Sequence, residues 1–79
     1  MYFVYIIKSQ IKQKFYVGYT LNVLARLQKH NEGGSIHPKD FKPWQLVMFS
    51  CFLDKSKALE YEKYLKSHSG RAFMNKRLV

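Results

Sequence analysis

The stretch Tyr16-Val17-Gly18-Tyr19-Thr20-Leu21-Asn22-Val23-Leu24-Ala25-Arg26-Leu27-Gln28-Lys29-His30 decides the fold, because it runs from a strand into a helix. Residues 14–19 are aromatic and β-branched around one glycine, which reads as a strand. Gly18 inside it marks a bulge or a close approach of backbone. Thr20 or Asn22 then caps a helix that runs to about His30, where Asn31-Glu32-Gly33-Gly34 stops it. On that helix Leu21, Val23, Leu24, Ala25 and Leu27 make a broad apolar arc. Asn22, Arg26 and His30, spaced i, i+4, i+8, line one edge of it. An Arg and a His on one stripe beside strand tyrosines are equipped to clamp a phosphate; the plain alternative is a solvated polar face.

Working outward, residues 2–8 (Tyr-Phe-Val-Tyr-Ile-Ile-Lys) read as a first strand, with a polar turn at 9–13 that closes an antiparallel hairpin. Residues 31–44 form a polar loop holding His37, to which no role is assigned; His68 is likewise given none. Trp44 anchors the start of a third strand. Residues 45–53 are continuously apolar, a strand buried on both faces or nearly so. Within it Cys51 reads as a small buried hydrophobe. Asp54 or Ser56 caps a second helix through Lys66. Ser67-His68-Ser69-Gly70 breaks that helix, and Arg71 to Val79 reads as a short basic one. The order ββαβαα gives an α+β fold, a three-stranded antiparallel sheet flanked by helices, in a single domain over residues 1–79.

The second helix is the more discriminating one. Ala58, Tyr61 and Leu65 face the core. Glu62 falls about 40° from Ala58 and about 60° from Leu65 on the helical wheel. Lys57 and Glu60 point away. Glu62 is thus an acidic side chain set toward the core, where a carboxylate needs a partner or a metal. An ion pair with Arg26 or a snorkelling side chain is one reading. A single carboxylate ligand to Mg²⁺, completed by water and phosphate, is the other.

Bulk composition narrows the classes. Fourteen Lys and Arg against five Asp and Glu give a formal charge of +9 on 79 residues. That charge attracts polyanions, nucleic acid before anionic membrane. One cysteine excludes an internal disulfide and fits a reducing compartment, so a cytoplasmic location is expected. One Cys and three scattered His give no zinc spacing. No apolar stretch approaches the roughly 20 residues that cross a bilayer. Two phenols, a guanidinium, an imidazole and one carboxylate suggest phosphodiester chemistry rather than acyl transfer or redox work. A phenol acting as a base near neutrality would need its pKa lowered from about 10 by a nearby cation.

These motifs, in order and at these spacings, resemble the GIY-YIG nuclease superfamily over nearly the whole chain. They are closest to small stand-alone bacterial members similar to the N-terminal nuclease domain of UvrC. Phe3-Val4-Tyr5 stands for the first triplet and Tyr16-Val17-Gly18 for the second. Tyr16-Val17-Gly18-Tyr19-Thr20-x-Asn22-x-x-x-Arg26-Leu27-x-x-His30-Asn31 resembles the strand-to-helix signature, and Ala58-x-x-x-Glu62-Lys63-x-Leu65-Lys66 the glutamate helix. The departures are Phe3 where the family has glycine, and valine at both middle positions. Asn75 is the candidate for an Asn that the family often carries late in the domain.

The resemblance implies a metal-dependent DNA endonuclease, in repair or recombination, with these roles. Tyr16 would orient or deprotonate the attacking water, and Tyr5 would support it. Arg26 would hold the scissile phosphate. His30 would contact the phosphate or aid proton transfer. Glu62 would bind one divalent cation, Mg²⁺ or Mn²⁺, to stabilise the leaving 3′ oxygen. Asn22, Lys63, Lys66 and Arg71 would contact DNA, branched or damaged forms included, and a protein partner would supply specificity. The alternatives are a non-catalytic basic nucleic-acid-binding module that keeps the fold, and a dimerising structural protein. A pure binder has no use for an inward Glu62.

Overall fold

A computed structural model describes residues 1–32 and 41–79. His37 and the Gly33-Gly34 helix stop lie outside the described residues. The elements are β1 (Tyr2–Ser9), β2 (Phe15–Thr20), α1 (Val23–Asn31), β3 (Trp44–Phe52), α2 (Lys55–Lys66) and α3 (His68–Arg77). The order ββαβαα and the antiparallel sheet match the sequence reading, with strand order β2-β1-β3.

β1 is the central strand, and its alternation organises two cores. Val4, Ile6 and Val17 pack on one face against Ala58 and Leu65 of α2 and Met74 of α3. Tyr5 and Ile7 point the other way, to Val23 of α1 and to Trp44. Opposite faces follow from the period of two in an extended chain. Burying such side chains contributes about 1.5–3 kcal/mol each.

Three expectations need correction. The third strand is not buried on both faces: it lies at the sheet edge, with Phe49 half-exposed and Cys51 exposed. An apolar run reports hydrophobicity but not which strand will be central, and β1 takes the centre by pairing with both others. Leu21, which falls before the α1 cap, and Leu24 on α1 are exposed, while Val23 and His30 are buried and Leu27 half-buried. The inward stripe is therefore 23-27-30 (i, i+4, i+7), and His30 sits on it rather than at its margin. Finally, α3 begins at His68 without a break. Ser67 closes α2 and opens α3, accepting from the Gly70 N–H at 3.1 Å while its hydroxyl donates to the Tyr64 carbonyl at 2.6 Å. A Cβ on Gly70 would strike that same carbonyl, so the tight α2–α3 corner needs glycine there.

Local devices fix the connections. Asn22 is the N-cap of α1, its side-chain oxygen accepting from the Ala25 N–H at 3.0 Å. The Thr20 hydroxyl accepts from the Asn22 N–H and donates to its carbonyl, both at 3.2 Å, which sets the angle at which β2 enters α1. Asp54 caps α2 through Ser56. Asn31 ties the end of α1 to the start of β3: its Oδ1 accepts from the Trp44 N–H at 2.5 Å and its Nδ2 donates to the Trp44 carbonyl at 3.1 Å. Trp44 is buried, as expected of an anchor. Among the described residues, no helix is long and apolar enough to cross a membrane.

Asn31→Ala leaves the Trp44 backbone groups without these bonds, so urea unfolding should show a loss of about 1–3 kcal/mol. A surface change such as Leu24→Ser should stay within about 0.5 kcal/mol.

Candidate active site

Tyr5 and Gly18 are directly opposite in the β1–β2 ladder. A Cβ built on Gly18 would overlap the Tyr5 hydroxyl and Cζ. The Tyr5 ring thus lies across Gly18, which resolves the sequence expectation in favour of close approach. The irregularity in the sheet falls elsewhere, between Ile6 and Ile7 in the pairing with β3. Tyr16, opposite Ile7, shares the face of Tyr5, with ring centroids 6.1 Å apart.

α1 brings its side chains down onto these phenols. His30 is buried, and its Nε2 lies 2.9 Å from the Tyr5 hydroxyl. Its ring sits edge-on to Tyr16 at 5.1 Å, with Trp44 behind it at 6.1 Å. Arg26, about one turn earlier, places its charge beside the Tyr5 phenol, where it acts to lower the phenol pKa. The Tyr5 hydroxyl and His30 Nε2 share one hydrogen bond, whose direction follows the imidazole tautomer.

α2 supplies the carboxylate. The Glu62 side chain is one-fifth exposed, and its charge is felt at Tyr5. The sequence offered Arg26 as its ion-pair partner; the structure gives Lys66, with Nζ 3.0 Å from Oε2. The same ammonium stands 5.8 Å from the Tyr16 ring centroid. Five sequence-derived residues (Tyr5, Tyr16, Arg26, His30, Glu62) therefore converge from β1, β2, α1 and α2, and Lys66 joins them.

Burial sets the protonation of Tyr5. Burial pushes the Tyr5 pKa up to about 12, with Tyr16 and Glu62 acting in the same direction and Arg26 against them. A cation beside a phenol favours the base form, yet at Tyr5 desolvation outweighs it. Tyr5 is a proton donor at neutral pH, not a base.

The remaining sequence-derived contacts lie around this centre. Arg71 shares a cleft of about 480 Å³ with Lys14, Tyr16, Lys66 and Asn75. Asn22 lines a second cleft with Arg26, Lys29 and Lys55, although its side-chain oxygen is already engaged as the cap. Lys63 is exposed on α2. Sequence reasoning missed Lys14, Lys29 and Lys55, which carry no motif. It also missed Lys66 as the partner of Glu62, for which the Glu-to-Lys i, i+4 spacing was an available signal.

Among the described residues, no group of three or more His, Cys, Asp or Glu could hold a metal ion. A single sheltered carboxylate is instead the donor set of a hard cation that keeps most of its waters and takes phosphate oxygens as further ligands. Glu62 fits that description; a ligand set for zinc is not present among the described residues.

The fold agrees with what the chain is similar to. The family model for the GIY-YIG catalytic domain matches residues 1–77. A UPF0213 protein of Haloquadratum walsbyi is 38% identical over 69 residues, covering 86% of this chain and 76% of that protein. One from Staphylococcus haemolyticus is 39% identical, covering 86% and 83%. The solution NMR structure of a UPF0213 protein from Bacillus halodurans is 29% identical, with a TM-score of 0.58 over 96% of this chain and 84% of that one. The chain belongs to the GIY-YIG family, as a small member similar to the UPF0213 proteins. That membership supports a nuclease-type function and implies a nucleic-acid substrate.

Gly18→Ala should destabilise the fold by about 1–3 kcal/mol in urea, because the added methyl overlaps Tyr5, and Tyr5→Leu in the same chain should recover part of it. Stability at high pH offers a second check. A phenol raised from 10.0 to about 12 favours the folded state fully below pH 10 and loses that contribution as pH rises toward 12. Thermal stability should fall across that window, and Tyr5→Phe should flatten the fall.

Proposed function

We propose that this chain is a Mg²⁺-dependent endonuclease that hydrolyses DNA phosphodiester bonds, acting in the cytoplasm in repair or recombination and related to UvrC-type nucleases. The observation that carries the reading is the convergence of Glu62 with Tyr5, Tyr16, Arg26 and His30 on a body of charge +9. A binding module would be served by the charge alone. It would gain nothing from a sheltered carboxylate set among phosphate-binding groups, because negative charge repels the ligand.

Glu62 would hold the divalent ion, which supplies charge to the phosphate and to the departing 3′ oxygen. The protein's own groups do the rest. Arg26 offers a fork of donors to the scissile phosphate and stabilises charge that grows in the transition state. Tyr5 stays protonated and stands between Arg26 and His30, hydrogen-bonded to His30 Nε2 and facing the Arg26 charge. Tyr16 borders the open cleft and orients the attacking water, with the His30 ring packed against its edge. The clefts holding Lys14, Lys66 and Arg71 on one side, and Lys29 and Lys55 on the other, carry the flanking phosphates. Lys63 adds a further exposed positive charge on α2. The flanking contacts are charges and an amide rather than a base-reading element. Selection of branched or damaged DNA therefore falls to DNA shape or to a protein partner.

Cleavage of duplex, single-stranded and branched DNA should appear with Mg²⁺ or Mn²⁺ and vanish in EDTA. Glu62→Gln and Arg26→Ala should each lower cutting by roughly a hundredfold or more. Glu62→Gln should bind DNA as tightly as the parent or more tightly in a gel-shift assay. A protein that shifts DNA in every buffer and cuts in none would be a binder, and the nuclease reading would fall.

A further inference from the structure

Glu62 has a partner already. The Lys66 ammonium sits 3.0 Å from its Oε2, on the side chain one turn further along α2. Glu preceding Lys by four residues is the favourable orientation of such a pair. Two features set it apart from an ordinary surface ion pair. The carboxylate is only one-fifth exposed, so it needs a counter-charge at all times. The ammonium is about half exposed and also lies over the Tyr16 ring, at 5.8 Å from its centroid. It is therefore held in the candidate site while keeping a route to water on its flexible four-carbon stem.

A divalent ion and an ammonium cannot share one carboxylate without strong mutual repulsion. We propose that Lys66 is a resident counter-cation of Glu62 that a divalent ion must displace, so that the free protein loads metal weakly. This rests on the reading of Glu62 as the metal-holding residue. Lys66 lines the same cleft as Lys14 and Arg71, so a nucleic-acid phosphate entering there offers the displaced ammonium a new partner. The lysine is a positioning residue: it acts through Glu62 and guards the carboxylate until a stronger charge arrives.

The test is Mn²⁺ binding to the DNA-free protein, read by electron paramagnetic resonance. Lys66→Met should bind Mn²⁺ roughly tenfold more tightly than the parent, because the competing charge is gone. Lys66→Arg keeps a cation and should stay weak. Lys57→Met removes an equal charge from an exposed position on α2 and should change affinity less than about twofold. Circular dichroism of each variant checks the fold. The proposal is overturned if Lys66→Met binds no more tightly than the parent, if Lys66→Arg binds as tightly as Lys66→Met, or if Lys57→Met gains as much. Adding Glu62→Gln to Lys66→Met should erase the gain. If it does not, the ion sits elsewhere and the metal reading of Glu62 fails with it, whereas loss of binding in the double variant without a gain in Lys66→Met sinks only the role of the lysine.

Discussion

The Tyr5 phenol, laid across Gly18 with its hydroxyl at His30 Nε2, is the contact on which the candidate site depends. It joins the central strand, the second strand and the first helix at one atom. Remove the ring and Arg26 and His30 lose their common partner. Add a side chain at position 18 and the ring has no place to lie. Burial keeps the phenol protonated although a guanidinium stands beside it. The glycine thus serves chemistry by its absence of bulk, not by an unusual backbone angle.

The sheet divides its labour by face. The side of Val4 and Ile6 is packed against α2 and α3 and holds the fold together. The side of Tyr5 and Ile7 is aromatic and meets α1 through His30 and Trp44. Glu62 comes from the helix layer of the first face, yet its charge reaches the phenol of the second. A protein of charge +9 gathers polyanions readily; a negative group among its cations is therefore the feature that asks for a chemical reason.

Much of this was legible in the residues. β-branched and aromatic runs marked the hairpin, Thr20 or Asn22 and Asp54 or Ser56 marked the helix starts (the structure selects Asn22 and Asp54), and the helical wheel turned Glu62 inward beside Ala58 and Leu65. Local pattern suffices for these because caps, turns and periodicity act within a few residues. The resemblance carried the rest of the residue set, since motif spacing is a linear property.

The chain order alone determined the ββαβαα plan, the basic character and the five side chains offered for the site. Tertiary packing decided which strand is central, and so left Phe49 and Cys51 at an edge. It decided that α1 buries His30 in place of Leu24, that Tyr5 is driven up in pKa although a guanidinium stands beside it, and that Glu62 pairs with Lys66 and not Arg26. The physical reason is common to all of these. Burial, desolvation and ion pairing depend on distances between segments far apart in the chain, and those distances exist only once the sheet has closed against both helix layers.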